Sequence, residues 1–219
     1  MPNRNFVTLA TRIASDAPGC PQPVLVQHIR NAAIDVCERA LAWRSHLDVS
    51  SLSEGVGEYE YVAPEDAEVH AVIAASVGVS GGNAFTSLKP TPNEAFFAAY
   101  PGWPNVTANG VPRYITHLNA DAFGVAPLPD KEYDIDLWVC LKPLHTAMGM
   151  DETALDDIEK VVSHGALQSL LVQSGKPWAN ENKAAYHGRQ YSFLLNDCRA
   201  RYNLGTPRSM LVVKTTGYL

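Results

Sequence analysis

The sequence predicts an α+β fold: helices from both ends of the chain meeting in one body, a β-region inserted between them, and an extended C-terminal arm. Three observations predict it. The stretch Asp151–Gly205 carries apolar residues three or four apart in two successive runs, the spacing of one helix face. A third run of this kind, Pro23–Arg44, lies near the other end of the chain. Between them, from Gly57 to Leu141, the pattern changes to short β-branched and aromatic runs separated by Gly and Pro. The expected architecture is a three- to four-helix bundle with an inserted antiparallel β-sandwich or small barrel. Its expected divisions are residues 1–48 with 150–205 for the bundle, 55–145 for the β-domain and 206–219 for the arm.

The elements follow in order. Phe6, Leu9, Ala10 and Ile13 share one side of a short helix within Phe6–Ser15, and Asp16-Ala17-Pro18-Gly19-Cys20-Pro21 breaks it. Pro23, suited to a first helical position, opens a long helix to Arg44 striped by Leu25, Ile29, Ala32, Val36, Ala40 and Trp43. Tyr59, Tyr61 and Val62 begin a strand, Pro64–Ala67 turns, Val69–Val79 is a strand, and Gly81-Gly82-Asn83 turns again. Glu94–Tyr100 fits a single helical turn, and Pro101-Gly102-Trp103-Pro104 is irregular. Arg113–Leu118, Phe123–Leu128 and Tyr133–Leu141 complete the strands; no helix of crossover length separates them, which favours antiparallel pairing. Thr153-Ala154-Leu155-Asp156 is a capping pattern that opens a helix striped by Leu155, Ile158, Val162, Ala166 and Leu170, stopped by Gly175-Lys176-Pro177. The last helix carries Ala184, Gly188, Tyr191, Leu195, Cys198 and Tyr202, with Gly205 and Pro207 closing it. A short turn sets these two helices antiparallel, and Pro23–Arg44 covers the apolar surface they leave. The run Met210–Val213 is strand-like, either a last strand of the protein's own sheet or one donated to a neighbour.

At 219 residues the chain is one domain, or one with an insertion. An apolar fraction of 46% supports a substantial core, and a charged fraction of only 18% fits a protein that buries surface against partners. A net charge of −6 argues against a phosphate-gripping footprint, although a protein that merely surrounds DNA can be acidic. Cys20, Cys37, Cys140 and Cys198 are scattered, which predicts reduced thiols in a cytoplasmic setting, with Cys37 and Cys198 buried on helix faces. No apolar run is long enough for a bilayer and the N-terminus has no signal-peptide core, so no membrane partner is expected.

Motifs for chemistry are sparse. Gly78-Val79-Ser80-Gly81-Gly82 fits the G-x-S-x-G spacing of a nucleophile elbow, with Asp121, Asp134 and His145 following in the order acid, then His. An elbow needs a helix after its strand, and Gly81–Thr86 with Pro90 and Pro92 beyond is a poor start for one; a two-glycine turn explains the residues better. The seven histidines show no H-x-x-x-H pair, so no metal site is expected. Asp156, Asp157 and Glu159 suit the start of a helix on dipole grounds. Arg189, Arg199 and Arg201 project from the last helix toward a subunit or channel face, less plausibly toward DNA phosphates. No catalytic, cofactor or metal residues are assigned.

Read together, certain phrases make the chain resemble the adaptor (head-to-tail connector) proteins of tailed bacteriophages. They are Ser15–Pro21 before a long helix ending in Trp43-Arg44, Tyr59-x-Tyr61-x-x-Pro64 opening the β-region, Gly110–Tyr114 and Pro127-Leu128-Pro129. On the helical pair they are His164–Leu167, Lys176–Ala179 and Ala184-x-x-x-Gly188. The resemblance covers nearly the whole chain and is weakest over Gly78–Pro104. It implies a structural, non-enzymatic virion protein at the capsid–tail junction, assembled in the host cytoplasm. It implies a homo-oligomeric ring, usually of twelve copies, beneath the portal protein, joined below to the next neck or tail protein and enclosing the DNA channel. It also implies a C-terminal arm that docks on the portal. Within that arm Met210, Leu211, Val213, Tyr218 and Leu219 are the expected anchors. Rival readings are a tail terminator or nozzle, a serine hydrolase using Ser80, and a sugar-binding β-module using Trp103 and Trp138.

Overall fold

A computed structural model describes residues 3–48, 51–82, 84–105 and 108–204. The arm residues Met210, Leu211, Val213, Tyr218 and Leu219, and the expected closure at Gly205 and Pro207, lie outside these residues. In chain order the larger elements are β1 (Asn3–Asn5), α1 (Phe6–Ile13), α2 (Gln22–Ala40), β2 (Trp43–Asp48), β3 (Glu58–Glu60), β4 (Ala67–Val79), β5 (Phe85–Pro90) and α3 (Asn93–Ala99). They continue with β6 (Asn109–Gly110), β7 (Tyr114–His117), β8 (Ala122–Ala126), β9 (Leu128–Pro129), β10 (Tyr133–Pro143), β11 (Gly149–Asp151), α4 (Glu152–Leu171) and α5 (Glu181–Leu204). The chain is therefore α+β.

The main sheet curls into a half-barrel and is mixed, in place of the expected antiparallel sandwich or small barrel. One seven-stranded sheet has the order β2-β10-β4-β5-β7-β8-β3, and it is mixed: β5 pairs with β7 in parallel through Lys89–Tyr114 and Pro90–Ile115. The long connection over residues 91–113, which contains α3, is enough to return the chain parallel without a full crossover helix. Down the middle, β4 and β10 run antiparallel for their full lengths. Along β10, Tyr133, Ile135, Leu137, Val139 and Leu141 are buried at alternate positions, as a period of two requires, while Trp138 is exposed on the other face.

Four helices are tied to this sheet and to each other by one continuous core. Helix α2 packs on α4, α5 and β10, and α1 packs on α2 and α4. Helices α4 and α5 are antiparallel: Gly188 lies against Gln168, His187 against His164 and Tyr202 against Asp157, so one rises as the other falls. The expected buried stripes of α1, α2, α4 and α5 are largely the observed ones, including Cys37 and Cys198.

Several boundaries move, each for a local reason. Helix α2 ends at Ala40, not Arg44, because Leu41 adopts the left-handed conformation (φ 51°) and its N–H bonds the Cys37 carbonyl at 3.0 Å. Trp43 is buried as expected, but from β2, where it pairs with Leu141. Pro23 takes the second helical position. Helix α4 is capped by Asp151, whose carboxylate accepts from the Ala154 N–H at 3.0 Å, and not by Thr153. Asp156, Asp157 and Glu159 thus lie beyond the first turn and have specific partners: Arg4 pairs with Asp156 and Glu159, Arg12 with Glu159 at 2.6 Å, and Tyr202 donates to Asp157. The short strands β1 and β11 form a strap that brings Arg4 to these acids.

Candidate interaction surfaces

Three helices meet around a groove of about 1040 Å³. Small residues open it: Ala32 on α2, Gly165 and Ser169 on α4, and Ala184, Ala185, Gly188 and Ser192 on α5. Gly165 is needed for the close approach, since a Cβ there would lie 2.9 Å from the Tyr191 ring. That ring crosses to α2, where its hydroxyl donates to the Asp35 carboxylate, itself 3.2 Å from Arg39. Burial, then the Asp35 carboxylate, push the Tyr191 hydroxyl well above the usual tyrosine range.

Beside the groove the polar groups are paired within the chain. His164 and His187 share a hydrogen bond between their Nδ1 atoms at 2.8 Å, so one ring donates and the other accepts. Desolvation lowers the pKa of both; His187 lowers that of His164 further, and Asp16 opposes the change for both. His28 lies 2.7 Å from Ser169 Oγ and 2.9 Å from Gln173 Nε2, closing the α2–α4 side.

The outer side of α5 is different. Phe193 is 70% exposed, Tyr186 50%, and Val172 at the end of α4 60%. Arg189 lines the groove and is exposed, as are Arg199 and Arg201. The three arginines do not form one cluster. Arg189 and Arg199 are about 80° apart around α5 and about 15 Å apart along it. Arg201 faces elsewhere and pairs with Asp197 at 3.3 Å.

A second surface lies at the far edge of the sheet. Residues 56–62 are extended around β3, with Val125 N–H bonding the Gly57 carbonyl and Tyr61 N–H bonding the Asp121 carbonyl. Tyr59 and Tyr61 pack inward on Phe123, with ring centroids 5.6 and 5.1 Å away. The alternate residues Val56, Glu58, Glu60 and Val62 are all exposed, Val62 by 68%.

The rival chemistry has no geometry behind it. Strand β5, not a helix, follows Gly81-Gly82, and Gly81 takes φ +76° as a turn glycine. Asp134 accepts from the Gly81 N–H at 3.3 Å, next to exposed Ser80, but His145 lies past the other end of β10, roughly 30 Å away along the strand. Trp103 is an internal packing residue: its Nε1 donates to the Val125 carbonyl at 3.0 Å, and a Cβ at Gly57 or Gly124 would lie 2.9 or 2.8 Å from its ring atoms. Trp138 is half-exposed and packs edge-on against His46. Among the described residues no helix is long and apolar enough to cross a membrane, and all four cysteines are free.

Exposed apolar and charged surfaces on a body whose buried side-chain polar groups, Trp178 Nε1 apart, are paired within the described residues fit a structural, partner-binding class of protein. The chain belongs to the SU10 adaptor protein family, whose sequence model matches residues 4–211. That is a family of phage head–tail adaptors, structural components of the virion. No curated protein matches the chain.

The sequence reading missed most of these surface residues. Tyr186 and Phe193, seven apart, lie off the buried stripe that marks α5 as a helix. The period-two stripe Val56-x-Glu58-x-Glu60-x-Val62 is visible in the sequence, but the alternation alone does not say that this face, rather than the tyrosine face, is the outer one.

Proposed function

We propose that this chain forms a ring, of twelve copies, beneath the portal protein at the capsid–tail junction, where it joins the DNA-filled head to the next neck or tail protein. Family membership across residues 4–211 is the observation that carries this reading. In it, residues 1–48 and 150–205 act as the helical body, 55–145 as the β-part and 206–219 as the arm that holds the portal. Ring closure needs two unlike, complementary flanks on each subunit. The helical groove with its arginine-lined rim and the acidic sheet edge are two such flanks. DNA passes through without being read, in keeping with a net charge of −6. Assembly takes place in the host cytoplasm.

Removing Ser209–Leu219 tests the arm. The shortened protein should melt with the full-length chain yet fail to join portal-bearing heads in a sedimentation assay. Equal joining by both proteins overturns the arm's role.

A further inference from the structure

We propose that neighbouring copies meet by seating the outward stripe Val56–Val62 of one on the α5 rim of the next. This rests on the ring reading above. The occupant of the rim is therefore a second copy of this chain, and charge complementarity selects it.

The stripe and its surroundings are strongly acidic. Residues 48–68 hold seven Asp and Glu and no Lys or Arg. Glu58 and Glu60 face solvent between two exposed valines, and among the described residues neither side chain has a hydrogen-bond or ion-pair partner. The rim is mixed but net basic: on α5 Lys183, Arg189, Arg199 and Arg201 outnumber Glu181 and Asp197, although Glu181 and Asp35 also line the groove. Arg189 and Arg199 are exposed and also lack side-chain partners among the described residues; around the helix Arg189 lies about 40° from exposed Phe193 and about 60° from exposed Tyr186, while Arg199 lies about 80° to the other side of Arg189. Each surface thus offers unpaired charge beside apolar side chains, with opposite signs.

Their positions make the contact head-to-tail. Strand β3 is the last of the seven-stranded sheet and β2 is the first, with five strands between them. Arg44 on β2 reaches the C-terminal end of α5, donating to the Tyr202 carbonyl, so that end of α5 lies at the β2 edge of the sheet. A two-fold contact centred on either surface would set it against itself, carboxylate on carboxylate or guanidinium on guanidinium. A ring joins one flank of each copy to the other flank of the next, which sets unlike charges together at every contact. A bland role exists for the glutamates, because charge on an edge strand prevents stray strand pairing. That role does not explain why valines are exposed at both ends of the stripe, and lysine would fill it equally well.

The last point supplies the test, on full-length protein bound to portal-bearing heads. Glu58→Lys with Glu60→Lys keeps the edge charged but reverses its sign, and should lower the number of copies bound per head at fixed protein concentration by about tenfold. Arg189→Glu with Arg199→Glu should do the same. The chain carrying all four changes should recover to within about threefold of the parent, because every contact again joins unlike charges. A mixture of Val62→Cys and Phe193→Cys proteins should form an intersubunit disulfide that neither gives alone. If full rings assemble while the reversals have no effect, or the fourfold change fails to recover, or Phe193→Cys cross-links to the portal instead, the proposed contact is wrong and the ring stands. If the parent protein binds heads only as single copies, the ring reading itself fails. Circular dichroism of each variant separates lost contact from lost fold.

Discussion

The seam of α2, α4 and α5 and the outer edge of the sheet at β3, the sheet's rim, dispose of their polar groups in opposite ways. In the seam, Tyr191 meets Asp35, His164 meets His187, and His28 meets Ser169 and Gln173, all within one chain. At the rim, Glu58 and Glu60 are exposed, and among the described residues neither side chain has a hydrogen-bond or ion-pair partner. A buried polar group left unpaired costs about 1–3 kcal/mol, so the seam has to be self-sufficient. An exposed carboxylate loses little by waiting for a partner. The seam therefore holds the subunit, and the rim is free to serve an assembly.

Breaking the seam should have the largest effect. Gly165→Val places a branched side chain where even a Cβ lies 2.9 Å from the Tyr191 ring and 3.3 Å from the Ala32 Cβ. Neither neighbour is a flexible chain end, so the helices must separate or Tyr191 must leave Asp35. Overpacking of this kind costs about 3 kcal/mol. Valine's better helix propensity returns only about 0.4 kcal/mol of that. For a chain of this size the melting temperature should fall by roughly 6–12 °C. A change under about 2 °C by calorimetry would mean that the seam is looser than its geometry implies.

The seam was also the more legible region in the sequence, and the reason is physical. A helix that buries one face repeats its apolar residues every three or four positions, so Leu155, Ile158, Val162, Ala166 and Leu170 identify α4 unaided. Strands β4 and β10 were legible because they are long and β-branched. The elements that escaped have no such periodicity. Strand β2 was hidden because Trp43 continues the helical spacing of α2, while the residue that ends the helix is Leu41, a side chain not expected in a left-handed cap. Strands β1 and β11 are three residues long, too short for any period to register. The parallel β5–β7 pair depends on a connection whose path no local pattern fixes. Surface function is harder still: Arg189 and Arg199 could be singled out as charges on a helix, but that Arg201 is neutralised by Asp197 and faces away required the fold.

Acid should act on the seam before the rim. His164, His187 and His28 all have pKa values lowered by burial in the folded chain. Unfolded, each titrates near about 6.5. The unfolded state therefore binds more protons once the pH falls toward that value, and stability is full above it and lost below. Protonating both members of the His164–His187 pair also removes the acceptor of their hydrogen bond and sets two cations together. The melting temperature should drop between pH 7.5 and 5.5. His164→Gln with His187→Gln should flatten that drop without abolishing it, since His28 and His117 carry lowered pKa values too. An unchanged slope in the double variant would assign the acid sensitivity to other groups.

The smallest effect is expected at the rim, and its smallness is the informative part. Glu58→Gln with Glu60→Gln removes two charges from exposed side chains that have no hydrogen-bond or ion-pair partner among the described residues, so the melting temperature of the isolated chain should move by no more than about 2 °C, the scale of an ordinary surface change. Relief of repulsion within the acidic stretch 48–68 would, if anything, raise it. A clear loss of stability would mean that the two glutamates are tied into their own subunit, and the contrast between a self-sufficient seam and a waiting edge would not hold. Unchanged stability leaves their placement, two carboxylates in register between exposed valines, without an intramolecular purpose. Two accounts then stand, protection of the edge against stray strand pairing and a contact with another subunit, and the reversal of both glutamates to lysine separates them.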